Sequence, residues 1–260
     1  MIYSIENEFL EVQISSVGAE LMSIKSKADG TEYLWQGNTE FWGGRAYNLF
    51  PIVGRLTEGK YTFNGKTYEM NLHGFVRKSE LDATKLENNK IDFGIKATDK
   101  TRAMYPFEFE YHILYTLVGD TVKMDISVTN HDEKVMSFAL GGHPGFNVPL
   151  SDDKFEDYYL EFALAAQPKA IYMSDTCFVT NTVTNFPLED DKILHLSHSL
   201  FDRDAIVLQD ICHTVTLKSS VSKRAVTLKF PEAMKYLGIW HAPKKEAPYV
   251  ALEPWTSLPA

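Results

Sequence analysis

The chain has 260 residues, 13 % aromatic content and a formal net charge of −9. That length fits one large β domain or two small ones, and the acidic balance gives no electrostatic reason to bind nucleic acid or an anionic membrane. The two cysteines, Cys177 and Cys212, lack metal-ligand spacing and are too few for a disulfide scaffold. No basic-then-apolar leader and no apolar run of ~18 residues is visible, so a soluble cytoplasmic protein with no membrane partner is expected.

Alternation of apolar and polar residues dominates from the start. Residues 2–5 and 9–14 flank Glu6-Asn7-Glu8 and predict a first hairpin. Residues 18–24 predict a turn and a strand, and Asp29-Gly30 a further turn before Tyr33-Leu34-Trp35. Residues 41–45 are aromatic and glycine-rich, which predicts a loop. Tyr61-Thr62-Phe63 and Lys66-Thr67-Tyr68 flank Asn64-Gly65, and Asn-Gly suits the positive φ angles of a type I′ hairpin. Strands are predicted over 91–97, 107–117 and 121–129, then over the hydrophobic run 135–140 that leads into Gly141-Gly142-His143-Pro144-Gly145. Later strands are predicted over 158–164, 205–208, 215–217, 225–230, 236–240 and 249–252. Short helical turns are expected near 187–190 or 199–202, and no amphipathic helix longer than about three turns. Many strands without helices predict a single all-β domain over 1–260, a sandwich or barrel.

Four places set polar side chains beside glycine or proline. Arg55 ends the run Phe50-Pro51-Ile52-Val53-Gly54, where it either caps a surface strand or reaches into a polar cavity. His73 precedes Gly74, as an exposed loop histidine or a functional one. His143 lies between glycines and a proline, which predicts an imidazole held at a strand end; a histidine that merely bonds its own turn is the alternative. Glu253 follows the apolar run Val250-Ala251-Leu252, and burial there would raise its pKa and make it a usable base. His195 and His198 have no acidic or cysteine partner nearby and read as surface residues. There is no Gly-x-Ser-x-Gly elbow, phosphate-binding loop or dinucleotide fingerprint, and the histidines do not have zinc spacing. Neither cofactor nor metal is expected, and glutamate with histidines suggests proton transfer.

In their order and spacing these motifs resemble the aldose 1-epimerases, or mutarotases, and most closely their LacX-like branch. Val53-Gly54-Arg55-Leu56 with Gly59-Lys60-Tyr61 is similar to the family's arginine motif and hairpin. Leu72-His73-Gly74 resembles its first histidine motif and Gly142-His143 its second, although Pro144-Gly145 departs from the common version. Leu252-Glu253-Pro254-Trp255 resembles its glutamate strand. The resemblance implies a large antiparallel β-sandwich with a concave sugar-binding face. It implies Glu253 as base on the anomeric hydroxyl, His143 as acid on the ring oxygen, His73 supporting the developing charge, and Arg55 binding sugar hydroxyls. It also implies a ligand-binding aspartate, Asp204 in preference to Asp202. Seven residues follow Glu253, whereas the family usually continues, so the last C-terminal strands are expected to be missing. Trp35, Phe75, Phe146 and Trp240 are candidates to stack on a sugar ring, with core packing as the competing role.

The expected partner is therefore a small hexose, free or phosphorylated, and the expected activity is an isomerase that interconverts its α and β anomers. A paired-carboxylate site would suit glycoside cleavage instead. Two alternatives remain open. One is a sugar-phosphate mutarotase using Arg45, Arg77 or Lys78, which otherwise read as solvated. The other is a non-catalytic carbohydrate-binding or sensing module. No feature sets the oligomeric state.

Overall fold

The alternating pattern becomes twenty strands in a computed structural model of residues 1–260. The chain begins with β1 (Ile2–Glu6), β2 (Leu10–Ser15) and β3 (Leu21–Ser26), a three-stranded meander, and continues into β4 (Ala46–Leu49). The hairpin β5 (Lys60–Phe63) and β6 (Lys66–Glu69) turns at Asn64-Gly65, both at positive φ. β7 (Asp82–Glu87), β8 (Lys90–Lys96), β9 (Phe109–Val118) and β10 (Thr121–Asn130) form one four-stranded sheet in the order β10-β9-β8-β7. A single α-helix, α1 (Asp99–Met104), is capped by Thr98, whose hydroxyl accepts from the Thr101 amide.

β11 (Gly141–Asn147), β12 (Tyr158–Phe162), β13 (Lys169–Met173), β14 (Val179–Asn185), β15 (Ile193–His195) and β16 (Ile206–Gln209) follow. β17 (Thr214–Ser219), β18 (Ala225–Lys229), β19 (Tyr236–Trp240) and β20 (Tyr249–Trp255) complete the chain order. A second four-stranded sheet runs β15-β12-β17-β18. The largest sheet has seven strands in the order β14-β13-β16-β19-β20-β11-β4, and all its neighbours are antiparallel.

The seven-stranded sheet has two different faces. Phe146, Leu208, Leu237, Ile239, Val250 and Leu252 point into a core shared with the other sheets, where they meet Ile5, Phe93, Tyr111 and Leu160. β9 shows why this works, because its burial alternates strictly and sends Phe109, Tyr111, Ile113, Tyr115 and Leu117 inward. Each such side chain contributes roughly 1.5–3 kcal/mol on burial. The opposite face carries the smaller cluster of Leu49, Val53, Ile171, Val207 and Trp255. The result is the expected large antiparallel β-sandwich, with the second face of its main sheet free for a site.

Several local expectations are corrected. The run 135–140 is not a strand; Val135 and Phe138 are exposed, and pairing starts only at Gly141. His143 therefore sits inside β11 and not at a strand end. Residues 187–190 form no helical turn, since Glu189 bridges to Ile193, whereas a 3-10 turn does occur at His198–Phe201. β4, β7, β13, β14 and β15 were not expected. β7 and β14 are mostly exposed strands rich in Thr, Asn and charged residues, and they lack an inward apolar face to announce them.

Candidate active site

Cross-strand register assembles the site. β20 is paired on both sides, by β19 and β11. The register that places Gly141 against Trp255 and Gly145 against Ala251 sets His143 opposite Glu253. On β4, Tyr47 pairs with His143, while Gly238 of β19 pairs with Glu253 and Val207 of β16 with Gly238. Tyr47, His143, Glu253 and Val207 thus form one row across the open face of the sheet. The β11–β20 ladder lapses between its two registered stretches, where Pro144 has no N–H to give. Gly141 has a separate reason, since a Cβ there would meet the Trp255 ring at 2.8 Å.

The row floors a pocket of about 350 Å³, within the usual size of small-molecule sites. Its walls include Trp42, Tyr47, Arg55, His73, Arg77, Asp204 and Trp240. His143 Nε2 lies 3.3 Å from Glu253 Oε2, and both side chains are almost completely buried. Trp42 stacks on the His143 ring at 4.6 Å, and Trp240 meets it edge-on at 5.5 Å. His143 Nδ1 is buried without a partner.

Burial, reinforced by nearby His73, holds the His143 imidazole well below its ordinary pKa. Burial, reinforced by the Asp204 charge, pushes the Glu253 carboxyl well above the usual carboxylate range. Both shifts favour a pair that is neutral overall and holds one shared proton.

His73 is aimed by a tight loop. It has φ +61° and Gly74 has φ +73°, and a Cβ on Gly74 would collide with the Phe50 carbonyl oxygen at 2.1 Å. The His73 amide donates to the Gly54 carbonyl at 2.6 Å, and the Gly54 amide donates back to His73 Nδ1 at 3.0 Å. Nδ1 is thereby an acceptor, so Nε2 carries the proton. Burial and the Arg77 and Arg55 charges hold this imidazole down to a pKa of about 3. His73 is a neutral hydrogen-bond donor whose ring centre lies 5.7 Å from that of His143.

Asp204 is fixed at both oxygens. The Trp240 indole N–H donates to Oδ1 at 2.6 Å and the Cys177 thiol to Oδ2 at 3.0 Å. Asp202, two residues earlier, is exposed. The fold therefore brings Arg55, His73, His143, Asp204 and Glu253 to one pocket from five separate segments. Of the proposed stacking residues only Trp240 lines it. Trp35 stacks on Tyr249 at 4.6 Å, while Phe75 and Phe146 belong to the main core. His195 is exposed beside Glu189, but His198 is half-buried, stacked on Phe155 and bonded to His241.

Trp42, Tyr47 and Cys177 were not foreseen, and Arg77 enters the sequence reading only through the sugar-phosphate alternative, otherwise as a solvated charge. The only sequence signal for Trp42 was its glycine-flanked aromatic loop; Cys177 had none. No group of three or more His, Cys, Asp and Glu side chains is placed to hold a metal ion, and no helix is long and apolar enough to cross a membrane.

The family model of aldose 1-epimerase matches residues 1–257. Protein LacX of Lactococcus lactis subsp. lactis, in its plasmid form, is 37 % identical over 269 aligned residues, covering 99 % of this chain and 88 % of LacX. A galactose mutarotase related enzyme from Lactobacillus acidophilus superposes with a TM-score of 0.92 at 35 % identity, covering 100 % of this chain and 86 % of that one. A galactose mutarotase-like protein from Lactobacillus casei gives a TM-score of 0.93 at 33 % identity, covering 100 % and 89 %. On motifs, fold and this likeness across almost its whole length, the chain belongs to the aldose 1-epimerase family.

Proposed function

We propose that the protein is an aldose 1-epimerase that opens and recloses the ring of a hexose with Glu253 and His143. The observation that carries this reading is the 3.3 Å approach of His143 Nε2 to Glu253 Oε2 on the floor of a sugar-sized pocket. The two oxygens of a cyclic hemiacetal share one carbon, so adjacent acid and base groups suit them.

In the reactive form Glu253 is a carboxylate and His143 an imidazolium. Glu253 takes the proton of the anomeric hydroxyl, and its electron pair forms the C1 carbonyl. The bond from C1 to the ring oxygen breaks, and the ring oxygen takes the His143 proton. The products are a neutral carboxyl, a neutral imidazole and the open-chain aldehyde. Rotation about C1–C2 presents the other carbonyl face, and the same transfers in reverse close the ring. The pair carries no net charge before or after, and burial favours the neutral carboxyl and imidazole that ring opening produces over the ionised form that starts it. A positioned acid or base typically contributes ~10²–10⁴-fold.

The neutral His73 Nε2–H supports negative charge developing on a substrate oxygen without competing as an acid. Asp204, held by Trp240 and Cys177, accepts from sugar hydroxyls, and Arg55 donates to them. The test is anomer relaxation of freshly dissolved α-D-glucose and α-D-galactose, followed by polarimetry or NMR. The wild type accelerates relaxation over buffer and Glu253→Gln does not. Saturable sugar binding with no acceleration on any aldose would replace this reading with a binding or sensing module.

A further inference from the structure

The pocket holds more positive charge than neutral sugar recognition requires. Arg55 and Arg77 both line it, and neither guanidinium forms an ion pair. Elsewhere Arg102 holds Asp99 and Glu108, and Arg224 holds Asp29. An unpaired, half-buried guanidinium is costly, and in a chain of net charge −9 carboxylates are not scarce. The Asp204 carboxylate already accepts from Trp240 and Cys177. Glu253 lies opposite His143, which is its ionic contact.

Arg77 is fixed for a purpose its own contacts do not use. It lies in a 3-10 turn, Val76–Lys78, directly after the His73-Gly74 loop. Its Nε donates to the Leu72 carbonyl at 3.1 Å, and its guanidinium carbon sits 5.0 Å over the Tyr47 ring. That cation–π contact sets the guanidinium against Tyr47, and its terminal nitrogens have no carboxylate within ion-pair distance. Arg45 and Lys78 do not share this placement. Arg45 bonds Gln36 and the Met22 carbonyl, and Lys78 is exposed.

The positions of the charges give a direction to the site. Tyr47, beneath Arg77, is on β4, while Asp204 immediately precedes β16. In the sheet these strands are the two ends of the run β16-β19-β20-β11-β4, roughly 19 Å apart at ~4.8 Å per strand. The His143–Glu253 pair lies between them. A sugar with its anomeric centre at the pair has one end toward a carboxylate and the other toward a free guanidinium.

We infer that the substrate is an aldose carrying an anionic group remote from its anomeric carbon, a phosphate ester or a carboxylate, and that Arg77 is the residue that selects it. The inference rests on the mutarotase reading only in taking the pocket as an aldose site. A bidentate guanidinium–oxyanion contact is strong and directional, and it discriminates against a neutral hydroxyl at the same place.

The test uses ligands that cannot open, so it does not depend on turnover. The full chain is titrated with 1,5-anhydro-D-glucitol, its 6-phosphate and the corresponding 6-carboxylate, with Trp42 and Trp240 fluorescence as the signal. At low salt at least one anionic ligand binds about tenfold or more tighter than the neutral parent, and the advantage shrinks as salt rises. The 6-phosphate binding tighter identifies a sugar phosphate; the 6-carboxylate binding tighter identifies a uronic acid. Arg77→Met reduces the anionic advantage to under about threefold, and Arg77→Lys restores part of it. Equal affinity for neutral and anionic ligands in the wild type overturns the inference and leaves the mutarotase reading standing. An undiminished advantage in Arg77→Met overturns the assignment to Arg77. Anion preference without anomer relaxation supports the inference and sinks the mutarotase reading instead.

Discussion

Two histidine pairs, each with one buried member, make an instructive contrast. His143 and His73 line the pocket, and His241 with His198 begins one residue beyond Trp240. Both sites are aromatic: Trp42 covers His143, while Phe201 covers His241 at 4.1 Å and Phe155 covers His198 at 3.9 Å. In both, burial drives an imidazole below its ordinary pKa, His73 to about 3 and His241 to about 4. The hydrogen bonding differs. His241 Nδ1 donates to the Ala242 carbonyl at 2.8 Å, which leaves Nε2 to accept from His198 Nδ1 at 3.2 Å. That pair is satisfied and closed. His143 instead faces a carboxyl, keeps one nitrogen orphaned and opens on a cavity. A depressed pKa marks burial in both places; only the carboxyl partner and access mark chemistry.

The largest effect that tests this contrast is on turnover. Glu253→Gln and His143→Asn are each expected to slow anomer relaxation by ~10²–10⁴-fold. The double variant falls little further, because the two groups act as a unit. His241→Leu, measured in the same assay, is expected to stay within about threefold of wild type. A loss in His241→Leu as large as that in His143→Asn would erase the distinction between the pairs.

The pH dependence follows from the same shifts. With His143 lowered and Glu253 raised, the pair keeps its single proton across the range where a free histidine titrates. The profile of kcat/KM is expected to be flat through pH 6.5 and to fall only at lower pH, where His143 takes a second proton. An inflection at the ordinary histidine pKa would contradict the buried pair.

Asp204→Asn keeps an acceptor for Trp240 but removes the charge that bears on Glu253 and the stronger acceptor for hydroxyls. Its KM is expected to rise roughly tenfold with a smaller change in kcat, as suits a binding contact.

These residues differ in how legible they were before any fold was known. The all-β class was written in the alternation of β2 and β9, and the sandwich followed from many strands without helices. Arg55, His73, His143 and Glu253 stood beside glycine or proline in short motifs, and Asp204 directly preceded an apolar run. Cys177 carried no local sign and Trp42 only its aromatic, glycine-rich loop, because what brings them to the pocket is the packing of distant segments. Arg77 read as a solvated charge, since nothing in Val76-Arg77-Lys78 says which of two basic residues turns inward. The strand expected over 135–140 failed for a related reason: hydrophobic composition did not reveal that Val135 and Phe138 have no neighbouring strand to bury them.

The satisfied pair should show itself in stability. His241 has a folded pKa of about 4, below the ~6.5 of an unfolded histidine. Between those values the unfolded chain binds a proton that the folded chain excludes. Stability therefore falls as pH drops from about 6.5, and this contribution is fully lost below about 4. His73, at about 3, acts in the same sense. His241→Leu is expected to cost ~1–3 kcal/mol at neutral pH through lost hydrogen bonds, about 2–6 °C in Tm for a chain of this size, and to flatten the acid slope. An unchanged slope in thermal melts at pH 7 and pH 5 would show that His241 is not the group responsible.

The smallest expected effect lies at Cys177, where the two kinds of site meet. The thiol donates to Asp204 Oδ2, and burial followed by that carboxylate pushes its own pKa up to about 11. It stays protonated at neutral pH, which makes it a poor nucleophile and a usable donor. A thiol bond is weak, and Trp240 still holds the other oxygen, so Cys177→Ala is expected to raise KM by about two- to fivefold without lowering kcat. Cys177→Ser, which keeps a donor, recovers the wild-type KM. If serine and alanine behaved alike, Asp204 would be positioned by Trp240 alone, and the thiol would count among the closed contacts typified by His241.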